Sequence, residues 1–265
     1  MNGWLIYTQD GAKRNEWFIS RLQNEFIKYG VSLTLKIANT SDDLPTEYLP
    51  DFAICRAMNA QINAALESRG VRVFNNAKTA KIAGDKWETY LLCERLNIPF
   101  LPAFLAEKGV KNAEYPLIVK SRFGHGGTEV FWAENADGAR QRIDQKDKYL
   151  LQKPCSILGK DTRVYAVGNT IVAAIERTAQ SGFKSNFSLG GSVQSVQPTS
   201  EQMQIVNKLQ KELKFDFIGI DFLPDKNEVV LNEIEDAAGT RMLYACTDID
   251  IVEIFTKHVI NALNR

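Results

Sequence analysis

The sequence predicts a mixed fold, in which a small parallel α/β unit is followed by a larger α+β region. Three observations predict it. Strand and helix patterns alternate through the first third, a glycine-rich turn follows an apolar strand ending in Lys120, and two later strands finish in carboxylates. With 265 residues, of which 45% are hydrophobic and 24% charged, the chain is long enough for one large domain or for two or three small ones with their own cores.

The charge balance and the apolar runs exclude several classes of protein. Lysine plus arginine equals aspartate plus glutamate at 32 each, so we expect neither nucleic acid nor an anionic membrane as a partner. No apolar run approaches the ~20 residues that span a bilayer. The apolar start at residues 4–8 predicts a first strand rather than a signal peptide. The four cysteines form no CxxC pair, which favours free thiols in a cytoplasmic protein over a metal or disulfide site.

The first unit is predicted from alternating strand and helix patterns that end near residues 75–76. Its predicted strands cover residues 4–8, 32–37, 52–55 and 71–74, and its predicted helices cover residues 15–29 and 59–68. The first helix carries Trp17, Phe18, Leu22 and Phe26 on one predicted face and ends at Gly30. Such alternation predicts a parallel sheet.

The larger region begins with a long predicted helix over residues 79–96, closed by Asn97-Ile98-Pro99. The elements predicted after it are strands at 116–120, 129–133, 149–153, 163–167 and 170–175, a helix at 200–213, strands at 217–222 and 228–234, and a helix at 249–263.

The glycine-rich turn follows Lys120 and contains Gly124, Gly126 and Gly127. Backbone N–H groups and one ammonium could surround a polyphosphate here. Taken alone, however, such a turn more often has no ligand. The segment also lacks the G-x-x-x-x-G-K-[ST] pattern, and no helix is predicted directly after it, so a Walker-type ATPase is excluded.

The acidic strand ends are the stronger signal. Two antiparallel strands would place Asp221 beside Glu233 and Glu235, and the two glutamates share a face because side chains alternate along a strand. Three neighbouring carboxylates repel by up to ~4 kcal/mol per close pair at an effective dielectric of about 20. Divalent cations with oxygen ligands offset that cost. The flanking apolar residues indicate a half-buried sheet, which favours a metal site over a solvated acidic edge.

Three cations lie near the same acidic end. Arg163 and Arg177 fall in strands, and Lys184 falls in a loop. Arginine suits bidentate recognition of phosphate or carboxylate. Singly, each is more often a surface charge, so only their order along the chain is informative.

Taken in this order, the residues resemble the ATP-grasp superfamily, and within it the branch typified by the ribosomal-protein S6 glutamate ligase. The resemblance runs from about residue 75 to the carboxyl terminus. Six blocks carry it: Gly84-Asp85-Lys86, Ile118-Val119-Lys120, Gly124-His125-Gly126-Gly127, Leu151-Gln152-Lys153-Pro154-Cys155, Gly159-Lys160-Asp161-Thr162-Arg163, and Lys184-Ser185-Asn186 ahead of Gly190-Gly191.

The resemblance implies an ATP-grasp fold with three parts: an N-terminal domain (1–75), a central lobe with the phosphate loop (76–155) and a C-terminal lobe with the metal site (156–265). It implies ATP and Mg²⁺ (or Mn²⁺) as cofactors. The implied nucleotide-binding residues are Lys86, Lys120, Gly124, Gly126, Gly127, Gln152, Lys153, Pro154, Cys155, Asp161, Lys184 and Asn186. The implied metal ligands are Asp221, Glu233 and Glu235, and the implied catalytic residues are Arg163, Arg177 and Arg241.

The activity that the resemblance implies is ATP-dependent ligation of a carboxylate to an amine through an acyl phosphate, with release of ADP and phosphate. Its partners would be small-molecule or peptide carboxylates and amines, with a monomer and a homo-oligomer both open. The alternatives are a non-ligating ATP-binding regulatory or scaffold module and a phosphotransferase.

Two residues depart from the family pattern. Glu235 stands where the family usually has asparagine, and Lys184 where it has arginine. We expect Glu235 to tighten divalent-ion binding, and its repulsion from Glu233 to destabilise the metal-free site.

Overall fold

The computed structural model describes residues 1–124, 126–127, 129–185, 190–226 and 228–264. Its first sheet has the strand order β2-β1-β3-β4, and all its neighbouring strands are parallel, as the sequence predicts. These strands are β1 (Asn2–Tyr7), β2 (Ser32–Ile37), β3 (Phe52–Cys55) and β4 (Arg72–Phe74).

Three helices pack on this sheet: α1 (Gln9–Arg14), α2 (Glu16–Ile27) and α3 (Ala60–Glu67). In α2, Phe18, Leu22 and Phe26 are buried in the core. The predicted face was wrong for Trp17, which is 56% exposed and lies edge-on against Tyr244. Phe18, Leu22 and Phe26 are spaced by four residues and form one row that faces the sheet. Trp17 precedes this row by one residue, which is a rotation of about 100° around the helix axis.

The single helix predicted over residues 79–96 is wrong, because the structure has two, α4 (Ala77–Gly84) and α5 (Lys86–Leu96). Asp85 between them has an extended backbone, and its carboxylate accepts the Trp87 N–H at 2.9 Å. The same carboxylate accepts two hydrogen bonds from Arg122, at 3.1 and 2.6 Å. An aspartate that caps a helix in this way starts a new helix, which places Lys86 at its first position.

The second sheet is antiparallel with the strand order β5-β8-β6-β7. Its strands are β5 (Ala103–Leu105), β6 (Leu117–Ser121), β7 (Val130–Ala133) and β8 (Tyr149–Gln152), and α6 (Ala136–Arg140) follows β7. Leu117 and Val119 belong to the core on one face. Because side chains alternate along a strand, Ile118 and Lys120 face a cavity on the other side.

The third sheet is antiparallel with the strand order β11-β10-β9-β12-β13. Its strands are β9 (Lys160–Val167), β10 (Thr170–Thr178), β11 (Ser192–Val196), β12 (Phe217–Asp225) and β13 (Glu228–Glu235), and its helices are α7 (Ser200–Leu213), α8 (Arg241–Cys246) and α9 (Ile251–Leu263). Helix α7 covers one face of this sheet and α9 the other, through two separate apolar clusters.

Apart from the helix predicted over residues 79–96, the predicted strands and helices are confirmed to within a few residues, and β5, β11, α1, α6 and α8 are additional to the prediction. These five are short, so they carry little hydrophobic periodicity. In the part of the chain that the structure describes, no helix has both the length and the apolar surface needed to cross a membrane.

Asn75 fixes the first sheet to the third. Its Oδ1 accepts the N–H groups of Asp216 and Phe217 at 2.6 and 2.9 Å. Its amide nitrogen donates to the carbonyls of Phe217 at 2.6 Å and Asp236 at 3.1 Å. The first unit therefore rests on one end of the third sheet, and the cavity lies between the second and third sheets.

Candidate active site

A cavity of about 880 Å³, counted with its open mouth, separates the second and third sheets. Its wall carries both apolar and charged side chains, which is typical of small-molecule sites. The cavity brings together most of the residues predicted as a site: Lys86, Lys120, Gly124, Gly126, Gly127, Gln152, Lys153, Pro154, Cys155, Asp161, Arg177, Lys184, Asp221, Glu233 and Glu235.

Two lysines reach into this cavity from the second-sheet side. Lys120 on β6 is 8% exposed, and its Nζ donates to Asn232 Oδ1 at 2.7 Å. Lys86 at the start of α5 forms an ion pair with Glu233 at 2.9 Å and donates to the Gly124 carbonyl. Burial lowers the pKa of Lys120 to about 8, although the Glu233 carboxylate opposes the shift. Both ammonium groups therefore lie where an anionic ligand would meet them.

The glycine-rich turn closes one side of the cavity. Gly126 and Gly127 have φ of +67° and +74°, backbone conformations that favour glycine. At Gly124, an added Cβ would lie 2.7 Å from Glu129 Oε2. Lys184, from the loop after β10, donates to the Gly127 carbonyl at 2.9 Å. The turn is thus in contact with the loop from the opposite lobe.

The segment after β8 lines the far end of the cavity. Gln152 ends the strand and is buried, and the Lys153 N–H donates to the Pro102 carbonyl at 2.9 Å. Pro154 has no N–H. The Cys155 thiol donates to the Ile157 carbonyl at 3.0 Å, and burial raises its pKa. This segment therefore offers the cavity mainly backbone groups.

A β-bulge shapes the acidic edge. Asp221 lies opposite Glu233, and Gly219 lies opposite Glu235, but the register then shifts so that Phe222 faces Leu231. Asn232 is the extra residue of this bulge. In a regular strand Asn232 and Glu233 would point to opposite faces. Here both line the cavity.

Behind the acidic edge, guanidinium and carboxylate groups alternate. Arg163 donates to Asp221 through Nε at 2.6 Å and Nη2 at 2.8 Å and pairs with Glu235 at 2.6 Å. Arg177 donates to Asp221 at 2.7 Å and to Asp161 at 2.6 Å. Each of these five charged side chains therefore has an oppositely charged partner, which offsets the cost of burying its charge.

The pKa values of these carboxylates follow from their partners. Burial alone would raise the pKa of Asp221, but the guanidiniums of Arg163 and Arg177 hold it well below its ordinary value. Burial raises the pKa of Glu235, with the Arg163 guanidinium opposing the shift. Asp221 is therefore a fixed negative charge on the cavity wall.

The acidic cluster differs from the arrangement expected of bare metal ligands. Lys86 pairs with Glu233, and Arg163 with Glu235. Within the described ranges, no three histidine, cysteine, aspartate or glutamate side chains are grouped closely enough to hold a metal ion. Each carboxylate therefore has a cationic partner, which offsets the repulsion expected between Glu233 and Glu235.

Two residues of the predicted site lie outside the cavity lining: Arg163 is buried behind Asp221, and Arg241 is exposed at the first position of α8. The predicted site residue Asn186 falls outside the described residues. The predicted site also left out several lining residues, among them the polar residue Asn232. Its signal is a polar side chain directly after the apolar run Val229-Val230-Leu231, but the bulge that turns it inward has no mark in the sequence.

Comparison with known proteins decides the family. A profile of the RimK-like ATP-grasp domain matches residues 104–259, more than half of the chain. The chain belongs to the RimK-like ATP-grasp family. Membership confirms the predicted ATP-grasp fold and the predicted enzyme class, an ATP-dependent carboxylate–amine ligase.

Several relatives are similar over most of their length. "Uncharacterized protein MG011" of Mycoplasma genitalium is 32% identical over 212 residues, which cover 78% of this chain and 71% of that protein. A "probable alpha-L-glutamate ligase" of Haemophilus influenzae (strain PittEE) is 25% identical over 218 residues, covering 77% of this chain and 73% of the relative.

Solved structures support the fold of this RimK-like ATP-grasp protein. A RimK domain ATP-grasp protein from Sphaerobacter thermophilus superposes with a TM-score of 0.73 at 16% identity, covering 98% of this chain and 100% of that one. D-alanyl-alanine synthetase A from Vibrio cholerae gives 0.76 at 15% identity, covering 100% and 99%.

Proposed function

We propose that the cavity binds ATP with Mg²⁺, and that this ligase joins an amino-acid or peptide carboxylate to an amine. One observation carries the proposal: Lys86 and Lys120 meet the acidic ends of β12 and β13 across a single cavity. Ammonium groups suit phosphate oxygens, and carboxylates suit a divalent cation that accompanies them.

The adenine would lie against the segment after β8. Apolar residues line that part of the cavity, among them Leu101, Ile118 and Leu223. The Lys153 N–H is already bonded to Pro102, and Pro154 has none. Among the described backbone groups of this segment, the Cys155 N–H is the donor left for a ring nitrogen.

Carboxylate oxygens are ligands that a hard divalent cation prefers. Asp221 and Glu233 are cross-strand neighbours, and Glu235 is on the same wall, so a Mg²⁺ or Mn²⁺ ion would find oxygen donors there. When bound, the ion would supply charge neutralisation at the phosphates. In the structure Lys86 holds Glu233, so we propose that Lys86 leaves Glu233 for a phosphate oxygen when nucleotide enters.

The reaction needs little covalent help from the chain. An oxygen of the acid attacks the γ-phosphorus and ADP leaves; the amine then attacks the acyl carbon and phosphate leaves. Arg177 lines the cavity, and Asp161 and Asp221 hold its guanidinium in place. A cation fixed in this way stabilises a developing oxyanion without reorganisation. Arg163 would act by orienting Asp221.

The substrate class rests on the relatives. Proteins named probable alpha-L-glutamate ligases are among them, and the structure of the ATP-grasp ligase PsnB was determined with a precursor peptide and AMPPNP. This likeness supports an amino acid or a peptide end as the acid, the amine or both.

A screen of pooled amino acids and peptides tests the proposal. We expect ADP release that requires both an acid and an amine, and a product whose mass is the sum of the two less water. Lys120→Met should abolish most of the release. A scaffold module would release no ADP. A phosphotransferase would release ADP without an amine and leave a phosphorylated acceptor.

A further inference from the structure

Asn232 has no part in the chemistry proposed above, yet it lines the cavity beside Glu233. Its Oδ1 accepts a hydrogen bond from Lys120 Nζ at 2.7 Å. Among the residues that the structure describes, this is the one hydrogen bond that the Lys120 side chain forms. A neutral amide therefore faces the lysine that we propose to bind phosphate.

Lys120 needs an acceptor because it is buried. Its side chain is 8% exposed, and a lysine has a flexible four-carbon stem whose ammonium can take several positions. A buried donor without a partner is costly. Asn232 satisfies one N–H and fixes the ammonium at the cavity wall.

The bulge that carries Asn232 is itself anchored. Leu231 donates its N–H to the Pro99 carbonyl at 2.8 Å, and it forms a bridge with Phe100. The segment at 99–100 leads into the second sheet, which also carries Lys120. The amide and the ammonium are thus positioned by the same inter-lobe contact.

Consecutive residues of the bulge hold the two lysines, Asn232 holding Lys120 and Glu233 holding Lys86. We propose that Asn232 is a positioning residue for nucleotide binding, which fixes the Lys120 ammonium toward the phosphates of ATP before ATP enters. This inference rests on the proposed function, because it needs ATP in this cavity.

Binding of AMPPNP with Mg²⁺, compared with binding of adenosine, tests the inference by calorimetry. Asn232→Leu should weaken AMPPNP at least about tenfold, the effect of losing one hydrogen bond to a charged group. Adenosine has no phosphates, so its affinity should stay within about twofold. Asn169→Leu is the matched control, since Asn169 is an exposed asparagine that does not line the cavity.

A double-mutant cycle shows whether Asn232 acts through Lys120. In a Lys120→Met background, Asn232→Leu should cause no further loss of AMPPNP affinity. If Asn232→Leu does not fold, Asn232→Ser gives the same comparison with a side chain too short to reach Lys120. Equal losses for AMPPNP and adenosine, losses that add in the double variant, or unchanged AMPPNP affinity in a folded variant would overturn the inference. If the unmodified protein binds no AMPPNP, the proposed function itself fails.

Discussion

At the scale of residues, the cavity wall is a set of opposite charges that neutralise one another. Lys86 holds Glu233, Arg163 holds Asp221 and Glu235, and Lys120 is satisfied by a neutral amide. Lys86 and Arg163 thus have carboxylate partners, whereas the side-chain partner of Lys120 is uncharged. We infer that its ammonium interacts most strongly with an incoming phosphate.

The pKa of Lys120 gives a prediction about pH. Burial lowers the pKa to about 8, and bound phosphates would raise it again by favouring the charged form. AMPPNP affinity should thus be highest below about pH 8 and fall by up to about tenfold per pH unit above it. Lys120→Met should bind more weakly and lose this dependence. Calorimetry from about pH 7 to about pH 9.5 measures both; parallel profiles for the two proteins would contradict the assignment.

Glu235→Asn gives a second prediction. The sequence analysis expects Glu235 to destabilise the metal-free site, whereas the ion pair with Arg163 predicts that Glu235 stabilises it. The variant removes an ion pair of 2.6 Å, so the metal-free protein should lose about 1–2 kcal/mol of unfolding free energy, or a few degrees in Tm. It should also need more Mg²⁺ for half-maximal rate, because a charged ligand becomes neutral. Melting curves in chelator test the first part, with Glu228→Asn at an exposed position of β13 as control. A Tm equal to or above the parent's would show that repulsion dominates.

At the scale of elements, two local irregularities build the site. The helix boundary at Asp85 places Lys86 at the cavity, and the bulge in β13 turns Asn232 and Glu233 inward together. The strands and long helices around them follow from hydrophobic periodicity and were predicted. The irregularities were not, because Asp85 is compatible with a continuous helix until its contact with Arg122 is known, and a bulge depends on the partner strand.

Substitution of Asp85 separates its two roles. Asp85→Ala removes both the α5 cap and the Arg122 ion pair, so it should cost about 2–3 kcal/mol of unfolding free energy. Asp85→Asn keeps an acceptor for the Trp87 N–H and should cost about 1 kcal/mol less. Urea unfolding of both variants measures the difference. An alanine variant as stable as the parent would mean that neither contact stabilises the boundary.

At the scale of the whole molecule, the three sheets each fall within one of the ranges proposed as domains, 1–75, 76–155 and 156–265. These boundaries stay a prediction. The contacts that join these three ranges could not be predicted from the sequence, since they form between residues far apart in the chain. Asn75 binding β12, and Leu231 binding Pro99, are the clearest examples.

Asn75→Ala tests the junction of the first and third sheets. It removes four hydrogen bonds and leaves the buried N–H groups of Asp216 and Phe217 without this partner, so it should cost about 3–5 kcal/mol. Asn63→Ala is a matched control, because Asn63 is also buried but donates one hydrogen bond, to the Asn75 carbonyl. Thermal unfolding should rank the two variants in that order. A smaller loss for Asn75→Ala than for Asn63→Ala would show that the first sheet is held mainly by other contacts.

The central claim is that the acid's own oxygen attacks the γ-phosphorus, and it can be tested with an acid labelled in its carboxylate with ¹⁸O. Once the screen has identified an acid and an amine, the inorganic phosphate formed by the enzyme is analysed by mass spectrometry. The account predicts that each phosphate carries one oxygen from the acid, because the bond made to phosphorus is kept when the amine displaces the phosphate. Phosphate without label, or AMP and pyrophosphate as the products, would contradict it.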